Sequence, residues 1–367
     1  MVVNWSQTTW RSGLLGLAAL LALALAACGP GAPAEKGSAG GAGGGGGGGG
    51  GGQGGAKGER LLLATTAQLA DALRNITAEL PAGAVRVESL LGEGVDPHTY
   101  KLTRTDMARL AGADSVFSSG LHLEGKMTEV LERLGQEPGG AGGGKLVVEV
   151  GLKLPADRIL RPDGAAGEAD PHYWMDPELF ALASTAMAEA LAVRMPEHAS
   201  GVQQGAERYR GEIQRLADYA KDAFGKVPEA KRTLITSHDA FGYLGRAFGL
   251  RVLAVQGIST ESEAGVRDIE RLVERVVSEK VTAVFVETSV PDRTLRAVVA
   301  GAASRGHTVS IGGTLFSDAM GAPGTYTGTW IGMMDHNITT IARALGAEVP
   351  AAGMAGKLAA SATGGGK

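Results

Sequence analysis

From residue 60 to 345, short apolar runs alternate with segments of helical spacing, and this alternation leaves the chain few architectures to choose from. Strand-like runs fall at 60–66, 84–90, 114–119 and 145–150. Helical spacing fills most of the intervals, at 67–80, 105–111 and 123–134. In the first of these, Leu69, Leu73, Ile76 and Leu80 share one face. Two long helices follow. One covers 177–195 and is stopped by Pro196. The other covers 199–224, with Tyr209, Ile213, Leu216 and Tyr219 at heptad-like steps. Alternation then resumes, with strands at 232–237, 251–255, 281–287 and 307–311 and helices at 241–248, 264–279, 291–303 and 329–345. Short apolar strands separated by helices call for parallel sheets with helical crossovers. The expectation is an α/β protein of two lobes, each a roughly four-stranded parallel sheet covered by helices.

The residues with metal chemistry fall where such a fold gathers ligands, in loops after the carboxyl ends of strands. Asp96-Pro97-His98-Thr99-Tyr100 follows the second strand, and Asp170-Pro171-His172-Tyr173-Trp174 comes after the fourth. A proline before each histidine restrains the backbone and favours a turn that aims the ring. His238 follows the fifth strand in Ser237-His238-Asp239, and Asp318 follows the eighth in Ser317-Asp318-Ala319. Three imidazoles and one carboxylate, two from each half, make a candidate set for a divalent transition metal. Asp96 and Asp170 read equally as acceptors that orient an imidazole or as turn residues. Glu287, ending a buried strand, is a further candidate behind the ligands. Tyr100, Trp174 and Phe241 either wall the site from water or belong to the core. His122 two residues before Glu124 forms a possible ligand pair, but reads better as structural, as do His198, His307 and His336.

The N-terminal region carries an address rather than a fold. Arg11 precedes an apolar run from Leu14 to Ala27, too short for a comfortable membrane span and suited to an export signal. It ends in Leu25-Ala26-Ala27-Cys28, small residues before the chain's lone cysteine, as at a bacterial lipidation site. Residues 29–58, with ten glycines in a row from Gly43 to Gly52, read as a flexible tether. Its random-coil reach is about 30 Å. A single cysteine excludes an internal disulfide even in an oxidising compartment. A net charge of −4 gives no basic excess that would suit nucleic acid. The expected organisation is 1–28 signal and lipobox, 29–58 tether, 59–176 first lobe, 177–197 linking helix, 198–345 second lobe, and 346–367 disordered tail.

Taken together, these motifs resemble the zinc/manganese (cluster A-I) family of ABC-transporter metal-binding lipoproteins. The likeness is carried by the lipobox, both Asp-Pro-His motifs, Gly120-Leu121-His122-Leu123-Glu124 and Ser237-His238-Asp239-Ala240-Phe241-Gly242-Tyr243. It also includes Phe285-Val286-Glu287-Thr288-Ser289 and Leu315-Phe316-Ser317-Asp318-Ala319-Met320-Gly321. The resemblance implies two α/β lobes joined by one long rigid helix, placed at 177–195, with a metal site in the cleft. It implies His98, His172, His238 and Asp318 as ligands of one Zn2+ or Mn2+ per chain, carried rather than used in catalysis. A histidine at the third position, here His238, goes with zinc and mixed zinc/manganese binders. The stretch 135–144 lacks the histidines that zinc-specific relatives often carry there. The implied partners are a membrane permease with its cytoplasmic ATPase and, through Cys28, the membrane itself. The protein is expected to act outside the cytoplasm as a lipid-anchored monomer. An exported zinc hydrolase is the rival, against which stands the lack of His-Glu-x-x-His and Gly-x-Ser-x-Gly motifs. A surface adhesin is the third possibility.

Overall fold

The computed structural model describes residues 58–136, 145–162 and 168–358. The export signal, Cys28 and nearly all of the glycine tether lie outside the described residues.

The first sheet is parallel, in the order β2-β1-β3-β4, from β1 (Arg60–Ala64), β2 (Val85–Ser89), β3 (Ser115–Ser118) and β4 (Leu146–Glu149). Central β1 pairs Leu62 with Val87 on one side and with Ser115 on the other. Helix α1 (Ala67–Ile76) starts where the Thr66 hydroxyl accepts the Leu69 N–H. Helix α2 (Arg104–Gly112) starts with a reciprocal Thr103–Asp106 capping box. Helix α3 (Thr128–Gln136) begins later than the apolar spacing implies. Leu121 and His122 adopt left-handed φ of 55° and 64° after Gly120 at 73°, so the chain turns back before it can coil.

The second half contributes β5 (Thr233–Thr236), β6 (Arg251–Ala254), β7 (Ala283–Glu287) and β8 (Ser310–Leu315). They form two parallel pairs, β5–β6 and β7–β8, with β5 and β7 side by side. The β7–β8 ladder skips Gly312, whose added Cβ would lie 2.9 Å from the Phe285 ring. Strand β8 starts and ends later than the 307–311 reading and carries the chain to within three residues of Asp318. Helices α6 (Gly242–Phe248), α7 (Val266–Ser278), α8 (Arg293–Ser304) and α9 (Trp330–Ala344) complete this half.

Between the halves lie α4 (Pro177–Arg194) and α5 (Ala199–Gly225). Asp176 caps α4, its carboxylate accepting the Glu178 and Leu179 N–H groups, and Pro177 takes the first helical position. Helix α4 packs on α1, α5 and β4. Helix α5 packs on α1 and α4 and also on α6 and α9, and α4 reaches the second half as well, where its Phe180 stacks on Trp330 at 4.2 Å. The linking segment read at 177–197 is helical as α4, and α5 continues the helical block between the halves. With 27 residues, α5 is about 40 Å long. It crosses α1 so closely at Gly205 that an added Cβ would lie 2.2 Å from the Ile76 carbonyl oxygen. One apolar core runs through both halves, from Leu62 and Leu73 by way of Phe180 and Tyr209 to Trp330 and Leu315.

The expectation of a disordered tail from 346 is corrected for residues 346–358. Buried Asp335 accepts the Tyr326 hydroxyl at 2.8 Å, the Met354 N–H at 2.8 Å and the Ala355 N–H at 3.4 Å. A buried carboxylate needs such donors, and the chain end supplies two of them.

Candidate metal centre

His98, His172, His238 and Asp318 come together, each offering one ligand atom, all within 4.8 Å of one another. His98 lies in the loop after β2, and His172 just before a short 3-10 turn, Tyr173–Met175. His238 and Asp318 stand two and three residues past β5 and β8. All four are buried, His98 being 2% exposed and His172 and His238 0%. The Nε2 atoms of His98 and His172 are 3.4 Å apart. Asp318 presents Oδ1 to His172 Nε2 and Oδ2 to His238 Nε2, each at 3.3 Å. Yet His238 Nε2 and Asp318 Oδ1 make no hydrogen bond. Both atoms are buried within the cluster without a hydrogen-bond partner. Buried polar atoms left this way are rare, and a cation between them would satisfy them.

The other ring nitrogens are held from behind. Asp170 Oδ1 accepts from both the backbone N–H (2.9 Å) and Nδ1 (2.8 Å) of His172. Glu287 does the same for His238, with Oε1 on the N–H at 2.9 Å and Oε2 on Nδ1 at 2.5 Å. Each carboxylate fixes a ring so that Nε2 faces the cluster. Asp96 behaves differently. Its Oδ1 accepts the His98 N–H at 2.9 Å, while Oδ2 accepts the hydroxyls of Thr99 and Thr260. It orders the turn and leaves the His98 ring alone. Glu124 lies behind the loop, fully buried, accepting from Thr65 Oγ1 and from the N–H groups of Ser119 and Gly120. His122 is exposed and takes no part. His307 and His336 bond to the carbonyls of Val281 and Thr314.

Three contacts found here left little trace in the sequence. Gln68 Nε2 donates to the Asp318 carbonyl at 2.9 Å, and Trp174 Nε1 to the Ser317 carbonyl at 3.0 Å. Ser289 Oγ lies 3.4 Å from Asp318 Oδ2. First-half donors thus hold the loop that carries the second half's carboxylate. Trp174 also sets its edge against the His172 ring, 5.2 Å between centroids, whereas Phe241 is core and Tyr100 bonds Asp106.

Ionisation follows from this wiring. Burial pushes His98 down to about 4 against the pull of Asp318. Burial also disfavours charge on His172, but Asp170 and Asp318 overcome it and push the group up to about 9. His238 is likewise raised well above its ordinary value, burial being outweighed by Glu287 and Asp318. Burial opposes ionisation of Asp318, but His238 and His172 hold it well below the usual carboxylate range.

The profile of the family described as zinc-uptake complex component A, periplasmic, matches residues 62–344. The chain belongs to this family. It is 42% identical over 282 residues to the manganese-binding lipoprotein MntA of Bacillus subtilis, covering 77% of this chain and 88% of that protein. It is 39% identical over 290 residues to the zinc-binding protein TroA of Treponema pallidum, covering 79% and 90%. The solved structure of periplasmic zinc-binding TroA superposes with a TM-score of 0.73, covering 78% of this chain and 99% of that one. The Fe(III)-bound YtgA of Chlamydia trachomatis superposes at 0.70 with 26% identity, covering 80% and 100%. Members of this zinc-uptake family are thus named for different metals while sharing the two-lobed fold with its long connecting helix. The family consists of transport components, not enzymes.

Proposed function

We propose that this chain captures one divalent transition-metal ion, zinc or manganese, outside the cytoplasm and delivers it to an ABC-type permease driven by a cytoplasmic ATPase. His98, His172, His238 and Asp318 are the ligands, and Asp170 and Glu287 orient two of them. The observation that carries this reading is the pair of buried, unbonded atoms, His238 Nε2 and Asp318 Oδ1, pointing into one cluster. Four protein donors complete a tetrahedral zinc shell and leave no place for a catalytic water, which argues against a hydrolase. Both oxygens of Asp318 face the cluster, so an ion of higher coordination number, such as manganese, is also accommodated. The lipidated Cys28 and the tether at 29–58 hold the head, a monomer, near its permease.

The test is elemental analysis after loading in a zinc/manganese competition. Wild type should hold one ion per chain and Asp318→Ala almost none; equal metal content in both would remove the site. His238→Glu combined with Glu287→Gln, which avoids two facing carboxylates, should shift the ratio toward manganese if the third ligand sets the preference.

A further inference from the structure

Asp96 links the two halves across the cleft. Its Oδ2 accepts the Thr99 hydroxyl of its own turn at 3.0 Å and the Thr260 hydroxyl, from the loop between β6 and α7, at 2.6 Å. Nearby, Lys126 of the first half lies 3.9 Å from Glu261 of the second, but both side chains are 45% exposed and such pairs are weak. Beside the Asp96–Thr260 bond is a cavity of about 120 Å³ lined by Asp96, Gln256, Thr260, Glu263, Ser289 and Arg293. This volume holds about four waters. Ser289 Oγ, on its wall, is also the group 3.4 Å from Asp318 Oδ2. Ser289 thus stands between this cavity and the Asp318 carboxylate.

We propose that the Asp96–Thr260 hydrogen bond is a latch across the route by which the metal ion enters and leaves, and that Thr260 is a positioning residue for His98. The inference rests on the metal-binding reading above. Three observations favour this edge of the cleft. Its wall mixes Val290 and Pro291 with the Asp96 carboxylate, the hydroxyls of Thr260 and Ser289 and the Glu263–Arg293 ion pair, so oxygen donors face the cavity from both halves. The loop at 317–318 is itself held by buried bonds from Gln68 and Trp174, whereas the Asp96–Thr260 bond is only part-buried. And His98 is the ligand whose turn depends on Asp96, with its backbone N–H on Oδ1 of the same carboxylate that takes Thr260 on Oδ2. When Thr260 lets go, the support under His98 loosens, while His172 and His238 keep their own carboxylates.

The experiment is stopped-flow release of zinc from loaded protein to an excess of chelator, with metal content and melting temperature measured on the same samples. Thr260→Val should load one ion per chain and release it about tenfold faster than wild type, the effect of losing one charge-assisted hydrogen bond. Thr260→Ser, which restores the hydroxyl, should return to the wild-type rate. Thr99→Val, which removes the other partner of the same oxygen without crossing the cleft, should stay near wild type. A Thr260→Val rate within twofold of wild type overturns the latch. So does equal acceleration by Thr99→Val, which would assign the effect to the turn. A wild-type chain that holds no zinc overturns the metal-binding reading and the latch with it, an outcome separate from loaded proteins that release alike.

Discussion

At residues 170–172 the aspartate holds both the backbone and the ring of the histidine that follows it; at 96–98 the aspartate holds only the backbone. The tripeptide is the same, Asp-Pro-His. What differs is the second partner of the carboxylate: the imidazole itself in one case, two threonine hydroxyls in the other. The difference also separates the ionisation of the rings. His172, paired with Asp170 and Asp318, keeps a proton up to about pH 9, and His98, buried without such a carboxylate behind it, gives its proton up near 4. A repeated motif thus specifies the turn, and its neighbours decide whether the turn also makes a firm ligand.

The largest effect expected from this contrast is on pH dependence. His172 and His238, both raised, must lose a proton before Nε2 can bind an ion, whereas His98 is already neutral at pH 7. Affinity should therefore rise with pH, by about tenfold per unit for each proton displaced, with the His172 contribution ending near pH 9. Calorimetric loading at pH 7 in buffers of different ionisation enthalpy should show about two protons released. No proton release would erase the distinction between the two turns.

Next in size is the pair Asp170→Asn and Asp96→Asn. The first should weaken metal binding by about 10–100-fold, the usual range for a residue that orients a ligating imidazole. The second should cost less than about tenfold, measured in the same competition with a fluorescent chelator. Equal losses would mean that Asp96 supports its ring after all.

A smaller effect tests how His98 is held instead. An added Cβ at Gly125 would lie 2.8 Å from the His98 carbonyl oxygen, a backbone atom that must move. Gly125→Ala should lower stability by about 1–3 kcal/mol, as overpacking does, and weaken metal binding a few-fold. Gly242→Ala meets two side-chain atoms, Asp170 Oδ2 at 3.1 Å and Leu160 Cδ1 at 3.4 Å, and should change both less by thermal melting and metal titration. A larger loss at Gly242 would reverse the ranking of the two turns.

The sequence carried most of the frame because each strand is a short apolar run and each helix has a periodic face or a cap, such as Thr103 with Asp106 or Asp176 before Pro177. The convergence of His98, His172, His238 and Asp318 was legible because all four follow strands of parallel sheets, whose carboxyl ends meet. Asp96 and Asp170 could not be told apart, since an aspartate caps a turn in the same way whether or not it reaches the ring. Gln68 and Trp174 gave no sign of their role, because their partners are carbonyls 249 and 143 residues away that any residue could supply. Apolar content placed the connection at α4, yet such content reports burial without saying against which half, and both long helices touch each half.

The edge of the cleft held by Trp174 has a consequence for where water can go. Opening there would wet Trp174, Trp330 and Phe180, which are 2% exposed or less, the last two stacked at 4.2 Å. Aromatic side chains bury roughly 150–250 Å² each, so at about 25 cal/mol per Å² hydrating three of them costs on the order of 10 kcal/mol. Beside Thr260 the cavity is lined by hydroxyls, carboxylates, Arg293 and the small apolar side chains of Val290 and Pro291, with no aromatic ring among them. Should the proposed latch open, water would reach the cluster at less cost from that side than past the three aromatic rings.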